Sequence, residues 1–323
     1  MQLVIEKKLE EKLASELGED RGRERYAHYT IAKEPLQDAL DEIKKKYPEF
    51  TGHDIGHVNG VLEKAYLLLG KSIDLLNCEE LYLLMMAILF HDSGMIVSRT
   101  DHQNKIDFVF DTIRGIDARI RPEKKLVKRI IRAHSGTGLD GTSDTLKDVE
   151  VLSSFEGKGI KLRELSAILR FADELEEDAR RASNFAVANK SISADSIKYH
   201  EYSRGIKVHI DDIAGRIALD YNISVYPGAD AESAITFLFE RIAKLDNERR
   251  YAKYYSNILS PFKETQVCVD FWGEHNEELE QFSEKFVLDD KVLPSNACGN
   301  DLTAIKDAII AKIKIYCPPN SKC

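Results

Sequence analysis

Residues Leu81 to Gly94 read LYLLMMAILFHDSG. The apolar run is too short to span a bilayer, which takes roughly 20 residues. It reads instead as a helix of about residues 79–92, buried on all sides in a globular domain. Its end brings two polar residues together, His91 and Asp92, and a glycine follows. Desolvating a histidine and a carboxylate without partners is costly, so the rest of the chain must supply those partners.

Upstream, TGHDIGHVNGVLEKAYLLLG places Ile55, Val58, Leu62, Ala65 and Leu69 on one helical face, with Gly70 as the stop. His53 and His57 are four apart, and Asp54 reads as an N-terminal cap. Downstream, His102 opens a further helical stretch and Pro122 another, in which His134 continues the face of Ile130. The glycine-rich residues 135–143 read as a loop. In the helix over 161–178, Leu165, Leu169 and Asp173 fall on one stripe. A carboxylate among leucines is unfavourable unless neutralised, and a metal ion does that.

The N-terminal part reads as a helix over 2–17 stopped by Gly18, a polar loop over 19–30, and a helix entered through Pro35 and closed near Pro48. After residue 190 the period changes to two. Ile206, Val208 and Ile210, then Ile217, Leu219, Tyr221, Ile223 and Val225, predict an antiparallel hairpin, with Ile197 and Tyr199 as further candidates for the sheet. A long helix follows over 230–258 and a strand over 266–271. The acidic stretch 274–290 reads as a solvated helix face, and 301–316 as a last amphipathic helix. The domains expected are N-terminal helices over 1–50, a helical metal-binding core over 51–190 and an α+β extension over 191–323.

The 323 residues, 43% hydrophobic, are enough for a sizeable core. The charged N-terminus lacks a signal-peptide core, and with no membrane-length segment a cytoplasmic chain is expected. The five scattered cysteines read as reduced thiols. A net charge of −9 argues against broad, sequence-independent nucleic-acid binding. Lys44–Lys46, Arg129 with Arg132, Arg180–Arg181 and Arg249–Arg250 read as solvated helix faces that leave room for a local basic groove.

His57, His91, Asp92, His102, His134 and Asp173 lie on apolar helical faces or at helix ends. Imidazole and carboxylate are the ligand types for Zn, Mn, Fe, Co or Ni. Six such groups exceed one tetrahedral site and suit two metals sharing a carboxylate, an arrangement adapted to phosphoryl chemistry.

The order His57, His91–Asp92, Asp173, with LFHDSGM around the pair and LSAILRFADELE around the last aspartate, resembles the HD superfamily of metal-dependent phosphohydrolases. The resemblance is strong over roughly residues 50–180. The part behind it is similar to C-terminal extensions of HD domains found with chaperone-like ATPases. It implies a mainly α fold: an HD-type helical bundle with a small antiparallel β-hairpin or sheet in the C-terminal part. It implies His57, His91, Asp92 and Asp173 as ligands, Asp92 as the bridge, and His102 and His134 completing a second metal. The ions would be divalent: Mn, Fe, Co, Ni, Zn or Mg. Ser135 stands where many dinuclear members carry the second of two adjacent histidines, and the GYP element of cyclic-di-GMP phosphodiesterases is absent. Asp92, His53 and Arg132 are the catalytic candidates, with Arg170 a further charge near the ligand helices.

The activity expected is hydrolysis of a phosphoester or phosphodiester, foremost on a nucleotide, cyclic or linear. The alternatives are cleavage of single-stranded nucleic acid and a non-catalytic regulatory module. The C-terminal region is the candidate surface for a protein partner or a second copy.

Overall fold

The computed structural model describes residues 2–49, 52–177, 193–225, 230–290 and 301–316. It contains ten α-helices and six strands among them. The chain divides into two units, residues 1–176 with 252–260, and residues 177–251 with 261–323.

The first unit is built around the apolar helix that ends at His91–Asp92. Helices α1 (Val4–Leu17), α2 (Glu19–Lys46), α3 (Ile55–Leu69), α4 (Cys78–Phe90), α5 (Asp107–Arg114), α6 (Arg121–Arg132) and α7 (Leu162–Leu175) belong to it. All thirteen residues of α4 are buried, and α1, α2, α3, α6 and α7 all contact it. Asn77 caps its start, accepting from the backbone of Glu79 and Glu80, while Glu80 reaches back to the Asn77 amide. Helix α3 is capped by Asp54, which accepts from Gly56 and His57. The helix therefore begins after His53, which precedes the first turn instead of sharing it with His57.

The stretch 19–30 is helical, where the sequence reads as a loop. Gly18, at φ +85°, turns the chain between α1 and α2, and α2 then runs unbroken through Pro35. Its buried positions Tyr29, Ala32, Leu36, Leu40 and Ile43 keep helical spacing, so the polar run is the outward face of one long helix. Pro35 removes the backbone bond to Ile31, and both residues are exposed, so water can satisfy the freed carbonyl. A short hairpin, β1 (Ser153–Phe155) with β2 (Lys158–Ile160), precedes α7. Residues 135–143 form no regular element, as the sequence predicts.

The second unit holds α8 (Ala194–Gly205), β3 (Ile206–Asp211), β4 (Arg216–Ser224), most of α9 (Ala231–Tyr255), β5 (Glu264–Trp272), β6 (Glu284–Asp289) and α10 (Leu302–Tyr316). The hairpin is as predicted, pairing Ile206 with Tyr221, Val208 with Leu219 and Ile210 with Ile217. The sheet it founds has the order β3-β4-β5-β6, and β5 joins β4 in parallel. A parallel pairing needs a long crossover, which α9 supplies. Two sequence expectations fail here. Ile197 and Tyr199 lie in α8, whose buried Ser196, His200 and Ser203 follow helical spacing. The region 274–290 ends in β6, antiparallel to β5, with Phe286 and Leu288 inward and Lys285 and Val287 outward. Phe286 stacks on Phe239 of α9, 6.0 Å between ring centres.

Arg249 is also not a solvated charge. It is fully buried, bonded to Asp246, Thr265 and the Phe262 carbonyl. Arg180–Arg181 lie outside the described residues, as do three of the cysteines. Cys78 and Cys268 are free thiols. No helix among the described residues is long and apolar enough to cross a membrane.

Because α4 is enclosed, truncating its middle leaves a cavity that the neighbouring helices cannot close. Leu84→Ala is expected to cost about 2–5 kcal/mol of stability, read as a lowered urea midpoint with an unchanged slope.

Candidate metal centre

The three histidines His91, His102 and His134 are set by one local device. Each donates its Nδ1–H to the carbonyl three residues before it: His91 to Ile88 at 2.8 Å, His102 to Arg99 at 2.8 Å, and His134 to Ile131 at 2.6 Å. Carbonyls of a terminal helical turn have no intrahelical partner. His91 caps the C-terminus of α4, His134 follows the last turn of α6, and His102 lies in a 3-10 turn. A carbonyl only accepts, so the proton of each neutral ring sits on Nδ1 and Nε2 presents a lone pair.

His57 is oriented differently. Its Nδ1 lies 2.8 Å from Oε2 of Glu176, a fully buried carboxylate just past α7. This leaves the fourth Nε2 aimed into the same space. The Nε2 atoms of His57 and His91 are 3.2 Å apart, and those of His102 and His134 are 3.1 Å apart. Bare lone pairs at that separation repel, and a cation between them removes the repulsion.

The carboxylates complete two half-sites. Oδ2 of Asp92 faces His57 at 3.4 Å, His91 at 3.3 Å and His53 Nδ1 at 2.9 Å. Oδ1 of Asp92 faces His102 at 3.4 Å and His134 at 3.9 Å. Asp173 Oδ1 closes the first half-site, 3.2 Å from His57 and 3.5 Å from His91. Three ligand-compatible groupings follow: His53, His57 and Asp92; His57, His91 and Asp173; Asp92, His102 and His134. The donors are imidazole nitrogens and carboxylate oxygens, the set that divalent transition metals take. The residues fit an ion in each half-site.

Charge in the cluster is strongly polarised. Burial disfavours a charged His91, but Asp92 and Asp173 outweigh it and hold its pKa well above the usual value. Burial likewise opposes ionised Asp92 and Asp173, yet the surrounding histidines keep both well below the carboxylate range. His134 goes the other way: burial, reinforced by His91, pushes it down to about 4. It is therefore a neutral imidazole at pH 7.

All six sequence-predicted ligands thus meet in one place, and His53 joins them at its rim. Arg132 does not. It is an exposed residue of α6, two before His134, with no hydrogen bond or ion pair to the described residues. Arg170 donates to Thr145 at 3.0 Å and to the Ala133 carbonyl at 3.3 Å, bracing the turn that carries His134. Ser135 Oγ is 3.5 Å from His102 Nε2. Glu176 went unread in the sequence. The available signal was its spacing of three from Asp173, which puts both carboxylates on one side of the helix end. Gly60 makes room for it, since a Cβ there would lie 2.3 Å from Glu176 Oε1.

Carboxylate partners of metal-binding histidines contribute about 10–100-fold to metal affinity. Glu176→Gln is expected to weaken metal binding within that range, measured by competition with a chromogenic chelator. Gly60→Ala, which displaces the same carboxylate, should do likewise. Unchanged affinity in both would remove Glu176 from the site.

A family model described as HD-CE matches residues 47–122 and 110–251, together more than half of the chain. No curated protein matches the chain.

Proposed function

The chain belongs to the HD-CE family, and from that membership we propose that it is a divalent-metal-dependent hydrolase of phosphoester or phosphodiester bonds in nucleotides. The observation that carries this reading is the two-sided use of Asp92, one oxygen toward each histidine set. A carboxylate shared in this way suits a pair of ions acting on one phosphorus centre. When bound, such ions supply Lewis-acid polarisation of the ester and offset its negative charge.

The chain's own residues do the rest. His57 and His91, at most 1% exposed, are out of a substrate's reach. Asp173, His53 and His102 retain 25%, 23% and 16% exposure and form the accessible side. A phosphate entering there meets His53, whose Nδ1–H points at ionised Asp92. As an imidazolium, His53 would keep that bond to Asp92 and give its other proton, on Nε2, to the departing oxygen. Burial of the remaining ligands excludes water from their far side and fixes their geometry before substrate arrives.

Metal analysis of the full chain, purified without chelator, should give about two ions per chain and few or none in Asp92→Ala, with hydrolysis of bis-p-nitrophenyl phosphate or a cyclic nucleotide lost in parallel. Metal bound without turnover on a broad phosphoester panel would replace the hydrolase reading with a ligand-binding module. His53→Ala should keep the metal and lower kcat by roughly 10²-fold or more, the usual contribution of a general acid. Loss of metal in that variant would make His53 a ligand instead.

A further inference from the structure

Helix α6 carries a feature that metal binding does not use. Arg121, Lys125, Lys128 and Arg132 recur at intervals of four, three and four residues, so they form one stripe on the helix. Eleven residues of helix rise about 16 Å. With Lys124 and Arg129 they line a groove of about 510 Å³, whose other lining residues are Gln103, Asn104 and Asp107. Six cations meet three carboxylates: Asp107 pairs with Lys124 and Lys128, Asp111 with Lys124, and Glu150 with Arg129. Lys125 and Arg132 hold no hydrogen bond or ion pair within the described residues, and Lys125 is exposed.

The groove is lined by neighbours in sequence of two residues of the second half-site. Gln103 and Asn104 directly follow His102, and the stripe ends at Arg132, two residues before His134. Arg129 and Arg132 also line a smaller cleft of about 230 Å³ on the side of Ala133 and Thr145. In a chain of net charge −9, such a concentration of cations beside the candidate metal centre calls for an anionic occupant.

We infer that the groove along α6 binds the phosphate backbone of single-stranded nucleic acid and delivers it to the metal centre. This rests on the phosphodiester-hydrolase reading and narrows it. A single nucleotide would engage one end of a stripe about 16 Å long. Phosphates of a strand at about 3.4 Å per nucleotide would meet it along its whole length. The centre is recessed, with Asp92 only 7% exposed. A flexible strand can bend a phosphate into it, whereas a duplex stiff over about 150 base pairs cannot. The groove's lining contains no aromatic side chain, so contact is with the backbone and tolerates any sequence.

The test is fluorescence anisotropy with a mixed-sequence 20-nucleotide strand, using the full chain as purified and again with EDTA, so that binding is read apart from cleavage and from metal. The strand should bind in both conditions, at least tenfold more tightly than a mononucleotide at equal phosphate. Affinity should fall steeply with salt, with a slope of roughly −0.7 per phosphate contact. Arg121→Glu/Lys125→Glu should weaken it at least tenfold and flatten that slope. Lys7→Glu/Lys8→Glu, the same charge change on α1, should not. Equal binding by a duplex of the same length, or by the mononucleotide, overturns the inference, and both comparisons use the unmodified protein. So does an α6 variant that binds like the α1 control. Strand binding without turnover on any phosphodiester would count against the hydrolase and leave the groove standing. Turnover of a small diester without strand binding would do the reverse.

Discussion

Four imidazole lone pairs converge on one carboxylate, and the rest of the first unit is arranged to hold them there. The His57–His91 and His102–His134 contacts, 3.2 and 3.1 Å between Nε2 atoms, repel when the rings are neutral. A fold keeps such pairs only if other interactions fix each ring. Three are fixed by carbonyls three residues earlier, and the fourth by Glu176. Every tautomer is thereby chosen by the backbone or a buried carboxylate. For His91 and His134 the accepting carbonyl belongs to the last turn of a helix, where carbonyls lack their usual intrahelical partner.

Placing those ends together is the task of α4. A helix buried over its whole surface must be surrounded, and the helices around it bring their termini to its C-terminal end. Polar groups there would be unfavourable one at a time. Collected, they neutralise one another in part: ionised Asp92 and Asp173 are held low by the histidines, and His91 is held high by the carboxylates. A bound cation would add to that balance, because it favours the ionised carboxylates and neutral imidazoles that would hold it. The hydrophobic core and the polar centre are thus one construction.

Much of this was legible in the chain. The apolar run ending in His91–Asp92 located the core and its polar end. Asp173 stood out because it interrupts a leucine stripe. Glu176 did not stand out, since it sits in the acidic run FADELEE, where a carboxylate looks solvated; only the path of the chain beside Gly60 makes it a partner of His57. The same masking hid α2, whose outward face is so polar that its buried residues look isolated. It also hid β6, where two inward residues, Phe286 and Leu288, follow a long acidic segment. Parallel pairing of β4 with β5 depends on partners over 40 residues apart, which no local pattern encodes.

Charge along α6 separates two roles that one helix performs at once. Its apolar side, Leu126, Val127, Ile130 and Ile131, is buried and anchors it. That anchoring carries the helix end to the place where His134 faces Asp92. The opposite side is then fixed in orientation as well, because the helix cannot rotate without withdrawing His134. A cationic stripe on that side therefore has a fixed position relative to the metal centre instead of being a diffuse surface charge. Exposed ion pairs such as Lys128–Asp107 are worth little in themselves, so a polyanion can displace them at small cost. The amphipathic pattern that buries α6 thus also positions its charge.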